Sequence, residues 1–193
     1  MKSIVVFCGS SRNADEKYFN AARRLGEMLA EKSITLVYGG ATVGCMGAVA
    51  DAAMAAGGKV IGVIPKFIQD HEIAHEGLTE LITVESMHQR KLKMYELCDA
   101  AIALAGGFGT MDELFEMLTW QQLSLHSKPI GLHNLDGYYD GLLTLTKRMQ
   151  TEGLLRESDR DRLLVGSDLE SLLKVIEENC DGDMTSGKLK DMA

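Results

Sequence analysis

The chain of 193 residues lacks the marks of several large protein classes. Its four cysteines, Cys8, Cys45, Cys98 and Cys180, are widely scattered and show no CxxC spacing, so neither a zinc site nor a disulfide framework is expected. No apolar run approaches the length of a membrane span, and the run at the amino terminus is too short for a signal peptide. We therefore expect a cytoplasmic protein that binds neither a membrane nor a metal.

Basic and aromatic residues are also scarce. Lysine and arginine number 20 against 28 acidic residues, and aromatic residues make up 6% of the chain. This composition supplies neither the positive groove nor the stacking platform that single-stranded nucleic acid requires. Binding of nucleic acid is not expected, and any phosphate ligand must be captured locally.

Two common nucleotide-binding signatures are missing. No GK[ST] follows any glycine-rich turn, which argues against kinase or nucleoside triphosphatase chemistry. The turn Gly9-Ser10-Ser11 is not part of a GxGxxG motif. The glycines of GGATVGCMG at 39–47 do not have the GxGxxG spacing, and the strand that follows does not end in the acidic residue that binds ribose in dinucleotide-binding proteins. A dinucleotide-dependent oxidoreductase is therefore disfavoured, and no cofactor is expected.

What the sequence does contain is a regular alternation of strands and helices. With 46% apolar residues, we expect one domain over residues 1–180 and a polar tail, Asp181–Ala193. Buried apolar runs between helical segments predict an α/β fold, a doubly wound, Rossmann-like parallel sheet with helices on both faces. The predicted strands are Ile4–Cys8, Ile34–Tyr38, Val60–Ile64, Leu81–Val84, Ala100–Leu104, Pro129–His133 and an edge strand, Leu163–Val165. The predicted helices include Glu16–Glu31, Ala48–Ala56, Tyr138–Glu152 and Asp168–Asn179, and 66–77 is predicted to be a loop over the strand ends.

The stretch Ser86–Leu125 concentrates the candidate chemistry. It predicts a short basic helix, a buried strand, the glycine turn Gly106–Thr110, and a helix with Asp112 and Glu113 in its first turn. A glycine turn between a strand and a helix lets backbone N–H groups approach an anion, and the helix dipole favours negative charge there. We expect a phosphate site at this turn. Taken alone, the two carboxylates are equally explained as complements of the helix dipole.

Two linked motifs in this stretch resemble those of the Lonely Guy family of cytokinin-activating phosphoribohydrolases. Residues 105–113, AGGFGTMDE, follow the family signature PGGxGTxxE, and residues 87–91, MHQRK, follow its MHxRK segment, with Gly39-Gly40 upstream. Ala105 stands in place of the proline of the signature. The resemblance extends from the first strand to about Asn179.

The resemblance implies hydrolysis of the N-glycosidic bond of an adenine-type nucleoside 5′-monophosphate, a cytokinin riboside monophosphate or AMP, to free base and ribose 5-phosphate. It also implies a homodimer with sites near the subunit boundary. The alternative is a non-catalytic nucleotide or molybdenum-cofactor carrier of the same fold. Lysine decarboxylation, an activity attributed to such sequences, would need a Schiff-base lysine beside a pyridoxal phosphate site, and no lysine has that setting.

Glu113 is the candidate catalytic carboxylate, because cleavage of a ribosyl–purine bond passes through an oxocarbenium-like state that a carboxylate stabilises while it activates water. The resemblance makes Arg90 the second essential residue, and its planar guanidinium suits a phosphate or carboxylate. The remaining substrate-binding candidates are Glu72, Lys91, Asp112, Thr119, Gly39, Gly40, Ser10 and the turn residues Gly106, Gly107, Phe108, Gly109, Thr110 and Met111.

Three of these expectations have a plain alternative. Lys91 is equally explained as a solvated lysine on a helix, and Glu72 as a loop carboxylate without a role. The helix after Glu113 is apolar around its circumference, which predicts either a central core helix or part of a dimer interface.

Overall fold

A computed structural model describes residues 1–69 and 74–181 of the chain. Its strands are β1 (Ser3–Phe7), β2 (Thr35–Tyr38), β3 (Val60–Pro65), β4 (Glu80–Val84), β5 (Ala100–Ala103), β6 (Ile130–His133) and β7 (Leu163–Gly166). Its helices are α1 (Glu16–Glu31), α2 (Gly44–Ala55), α3 (Lys66–Gln69), α4 (Met87–Glu96), α5 (Phe108–Gln122), α6 (Asp140–Thr151), α7 (Glu157–Arg160) and α8 (Leu169–Asp181), with a 3-10 turn at Leu135–Gly137.

The seven strands form one parallel sheet in the order β4-β3-β2-β1-β5-β6-β7. Alternate residues of β1 point to opposite faces, so Ile4 and Val6 pack beneath α1, α2 and α8, while Val5 and Phe7 pack beneath α4 and α5. Both faces are covered, which explains why the strands are apolar throughout rather than alternating. The predicted doubly wound α/β fold is confirmed, including the edge position of β7. No helix in the described ranges is long and apolar enough to cross a membrane.

The second helix begins earlier than predicted. It starts at Gly44 instead of Ala48, so Gly44 and Gly47 belong to the helix and not to the preceding turn. A Cβ on Gly44 would overlap the backbone of Ser10, and one on Gly47 would overlap the backbone of Thr42. Gly44 also has a φ of +62°, which favours glycine. Gly44 therefore allows the loop after β1 to lie directly against the start of α2, and Gly47 allows the turn after β2 to pack closely against the same helix.

The helix α5 also begins earlier than expected, at Phe108. The prediction that Asp112 and Glu113 lie in its first turn was wrong, because the glycine-containing segment itself forms that turn. A short helix, α3, occupies the start of the predicted loop 66–77. Residues 70–73 of that loop and the predicted tail beyond residue 181 lie outside the described residues.

The strand order reverses between β1 and β5, which are neighbours in the sheet although 96 residues separate the paired Ile4 and Ala100. In doubly wound sheets ligands bind at such a switch point, outside the carboxyl ends of the strands. Here the loops after β1 and β5 touch, since the N–H of Gly9 donates to the carbonyl of Ala105 over 3.1 Å. The fold thus brings two of the glycine-containing turns to one crevice.

Candidate active site

Arg90 is a buried cation on α4, with 8% of its surface exposed. Its Nε donates to the carbonyl of Val63 over 3.1 Å, and its Nη2 donates to the carbonyl of Gly39 over 3.0 Å. Among residues 1–69 and 74–181, no carboxylate lies within ion-pair distance of the guanidinium. A buried charge without a paired countercharge is costly. Arg90 therefore favours the binding of an anionic or strongly polar ligand.

The Gly39-Gly40 pair makes room for Arg90. A Cβ at position 39 would overlap Nη2 of the arginine. Gly40 has a φ of +78°, and its Cα side packs against Ile64 and Leu81. Both glycines were candidates for substrate binding, and the structure places Gly39 in direct contact with the guanidinium of Arg90, with Gly40 next to it in the chain.

Glu113 lies partly buried on α5, against Phe7, Tyr95 and Trp120. Burial raises the pKa of its carboxyl to about 7, although the positive charge of Arg90 opposes that rise. A carboxyl that titrates near neutrality can both accept and donate a proton at physiological pH. The structure thus places Glu113 within electrostatic reach of Arg90.

Lys91 is not a solvated lysine. Only 11% of its side chain is exposed, and its Nζ lies 3.2 Å from Oδ2 of Asp112 and 3.0 Å from Oε1 of Glu116. Burial lowers the pKa of Lys91, but its hydrogen bonds to Glu116 and Asp112 outweigh this effect and the pKa is raised. Lys91 therefore joins α4 to α5 beside Glu113, and it partly neutralises the carboxylates that flank the catalytic candidate.

The start of α5 presents free backbone donors. The N–H groups of Phe108, Gly109 and Thr110 occupy the first helical turn, no side chain caps them, and the first N–H bonded within the helix is that of Met111, to Gly107. A Cβ on Gly107 or Gly109 would meet open space. These donors and the helix dipole suit a phosphate. The Thr110 hydroxyl is buried against Gly106, which leaves the backbone N–H groups as the donors of the turn.

A cleft of about 370 Å³ opens at the switch point beside this turn. Ser10 and Gly106 form two of its walls, and the rings of Tyr18 and Tyr138 form another. The Tyr138 hydroxyl donates to the carbonyl of Gly106 over 2.7 Å. Sequence reasoning missed Tyr138, because it was assigned to a helix and nothing in its local pattern distinguishes a tyrosine that supports a turn.

Thr119 lies apart from the start of α5, whereas Asp112 is tied to Lys91 beside Glu113. Thr119 lies eleven residues beyond Phe108 on α5, about 16 Å along the helix, and its hydroxyl donates to Phe115 over 2.7 Å. Asp112 is 57% exposed and held by Lys91. Glu72 lies outside the described residues.

Three comparisons with known proteins bear on this site. A family model described as possible lysine decarboxylase matches residues 46–176. The cytokinin riboside 5′-monophosphate phosphoribohydrolase LOG2 of Arabidopsis thaliana is 45% identical over 177 residues, which cover 92% of this chain and 83% of that protein. The phosphoribohydrolase of the same name from Rhodococcoides fascians is 47% identical over 176 residues, covering 91% and 89% of the two chains. The chain belongs to the Lonely Guy family.

Solved structures agree with the Lonely Guy fold. The molybdenum cofactor binding protein of Rippkaea orientalis superimposes with a TM-score of 0.69 at 23% identity, over 92% of this chain and 97% of that protein. This similarity concerns the fold alone. Within the Lonely Guy signature, Ala105 replaces proline at a buried position whose carbonyl accepts the Gly9 N–H. A proline would offer the same carbonyl, so the departure leaves this contact intact.

Proposed function

We propose that this Lonely Guy protein hydrolyses the N-glycosidic bond of adenine-type nucleoside 5′-monophosphates. The products are the free base and ribose 5-phosphate. The substrates we propose are cytokinin riboside 5′-monophosphate, by analogy with the names of the curated relatives, and AMP. No cofactor takes part in the proposed reaction.

The observation that supports this proposal is the joint placement of Arg90, Glu113 and the open start of α5. The Arg90 guanidinium is buried, has no carboxylate within ion-pair distance among the residues that the structure describes, and acts electrostatically on the Glu113 carboxyl, whose pKa is about 7. Glu113 lies on α5, the helix whose first turn presents backbone donors that suit a phosphate. A nucleotide carrier would need only the backbone N–H groups that bind phosphate. Hydrolysis also uses the guanidinium of Arg90 and the carboxyl of Glu113.

The proposed reaction uses each group once. The 5′-phosphate accepts hydrogen bonds from the N–H groups of Phe108, Gly109 and Thr110, which fixes the ribose relative to α5. Glu113, as a carboxylate, stabilises the positive charge that develops on the ribosyl ring and takes a proton from the attacking water. The water oxygen bonds to the anomeric carbon, and the electron pair of the broken bond leaves with the purine. The purine takes up one proton and Glu113 gives up the one it took from water, so no net proton is gained or lost. Arg90 holds the sugar and Glu113 in register.

The direct test is chromatographic detection of base released from AMP and from its isopentenyl derivative, with the unphosphorylated nucleosides in parallel. We expect release only from the 5′-monophosphates, and a loss of at least 100-fold in Glu113→Gln and Arg90→Ala, the scale typical of groups that stabilise transition-state charge. Glu170→Gln and Arg24→Ala, exposed residues of α8 and α1, serve as controls of matched chemistry. Nucleotide binding without release of base would replace the hydrolase by the carrier alternative.

We also propose a homodimer formed through the outer face of α5. Phe108 is 96% exposed, Phe115 is exposed on the same helix, and Leu123 is exposed directly after it. An open depression on this face is lined by Phe108, Met111, Phe115, Thr119 and Trp120, among others. A second copy covering this face would bury the apolar side chains and bring Thr119 to the subunit boundary. Cys8, Cys45 and Cys98 are buried and form no disulfide with one another, which supports the further proposal of a cytoplasmic location.

A further inference from the structure

His75 is a buried histidine whose contacts belong to no step proposed so far. It is 8% exposed and lies within the predicted loop 66–77 over the strand ends. Its Nδ1 lies 2.7 Å from the carbonyl of Glu76, and its Nε2 lies 2.9 Å from Oδ1 of Asp51 on α2. Both neighbours are oxygen acceptors, so a ring that donates from both nitrogens satisfies both. The ring thus links its own segment to α2.

The backbone of the same segment holds the Gly39-Gly40 turn. The N–H of His75 donates to the carbonyl of Gly40 over 3.0 Å, and Ala74 forms an antiparallel bridge with Ala41. The carbonyl one residue earlier, that of Gly39, accepts from Nη2 of Arg90. One hydrogen-bonded path therefore runs from Asp51 through His75 and the glycine turn to the guanidinium.

The turn needs such support from outside. Gly40 adopts a positive φ, and glycine loses more conformational freedom on ordering than any other residue, so two adjacent glycines are easily displaced unless other groups hold them. Arg90 donates to two backbone carbonyls, one of them in this turn, and its Nη1 lies 4.0 Å from the sulfur of Met87. A shift of the turn would therefore leave the guanidinium oriented by the carbonyl of Val63 and the weaker contact with Met87.

We infer that Asp51 and His75 are positioning residues that hold Arg90 in its working orientation through the Gly39-Gly40 turn. The inference rests on the proposed hydrolysis. Neither residue touches the substrate in this account. Displacing a catalytic group by about 1 Å can lower the reaction rate by about 100-fold. Asp51 and His75 are therefore expected to affect kcat more than substrate binding.

The experiment compares His75→Ala, Asp51→Ala and the double variant in steady-state release of base, below the melting temperature of each. We expect kcat to fall about ten-fold in each single variant, with KM changed by less than about two-fold, on the scale of a small displacement. The double variant should lose little more than either single variant, because both changes break one path. His75→Gln, which keeps an N–H near the position of Nε2, should recover most of the activity.

His133→Ala is the matched control, because His133 is buried to a similar degree but bonds to Ser167 between β6 and β7. We expect it to lower the melting temperature and leave kcat unchanged. Equal losses of kcat in the His133 and His75 variants, or a purely additive double variant, would overturn the inference. Absence of base release by the wild type would instead refute the proposed function, so the two failures are distinguishable.

Discussion

The carbonyl oxygen of Gly39 accepts a hydrogen bond of 3.0 Å from Nη2 of Arg90. The bond exists because position 39 has no side chain, since a Cβ there would overlap the same nitrogen. The glycine at the end of β2 and the arginine on α4 are thus one structural unit, although 51 residues separate them in sequence.

The contact between Gly39 and Arg90 predicts that adding a single methyl group at position 39 lowers activity. Gly39→Ala should displace the guanidinium and lower kcat/KM at least ten-fold, since small misplacements near a reacting centre cost one to two orders of magnitude, roughly. Gly141→Ala on α6 is the control, because its methyl meets open space. It should leave activity unchanged and stabilise the protein by up to about 1 kcal/mol. Equal activity of the two variants would show that Arg90 tolerates displacement.

The raised pKa of Glu113 predicts a dependence of stability on pH. Its folded pKa is about 7, against about 4.3 in an unfolded chain. Between these values the folded state binds more protons, so stability falls as pH rises. Glu113→Gln removes this loss and should stabilise the protein by up to about 3 kcal/mol above pH 7. The gain should shrink as pH falls from 7 to 4.5.

Thermal melts across this pH range test the prediction. Glu178→Gln, an exposed carboxylate near the end of α8, controls for the loss of one surface charge. If Glu113→Gln were no more stable than the wild type at pH 8, burial of the ionised Glu113 carboxylate would not destabilise the protein.

The neighbours of Glu113 should shift its pKa in opposite directions. Lys91 lowers that pKa, while Asp112 and Glu116 raise it. If Glu113 acts as the base, the acidic limb of the kcat/KM profile should move to higher pH in Lys91→Met and to lower pH in Asp112→Asn. Shifts of the same sign in both variants would contradict the assignment of Glu113 as the titrating group.

The exposed face of α5 predicts a change of oligomeric state. Phe115→Arg should convert the proposed dimer to a monomer, because it places a charge in an apolar contact. Light scattering after size-exclusion chromatography measures the mass directly. Leu145→Arg on α6, a residue of comparable exposure, should leave the mass unchanged. A monomeric wild type would refute the proposed dimer.

The order of strands and helices could be predicted from the sequence, because buried apolar runs and helical periodicity are local signals. The starts of α2 and α5 could not be placed correctly. Gly44 and Gly47 suggest a turn by composition, yet close contact with Ser10 and Thr42 is what requires them. The local sequence does not indicate which other segment of the chain packs its backbone against a glycine.

The candidate site was predictable only in part. The motifs point to Arg90 and Glu113, and the structure brings these two together. The carbonyl of Val63 and the His75 contacts could not be predicted, since a backbone acceptor carries no sequence signal and His75 lies in a segment without periodicity. Lys91 was left open because its two partners depend on how α4 packs against α5.

The pairing of β1 with β5 has a consequence for synthesis of the protein. During translation β1 is made first, but its partner on one side arrives only with residue 100, at least about five seconds later at ribosomal rates of 5–20 residues per second. Until then the nascent sheet exposes an apolar edge that can pair with other chains. Chains released early, before β5 has been made, are therefore expected to aggregate, and the crevice at the switch point is completed only after more than half of the polypeptide has emerged.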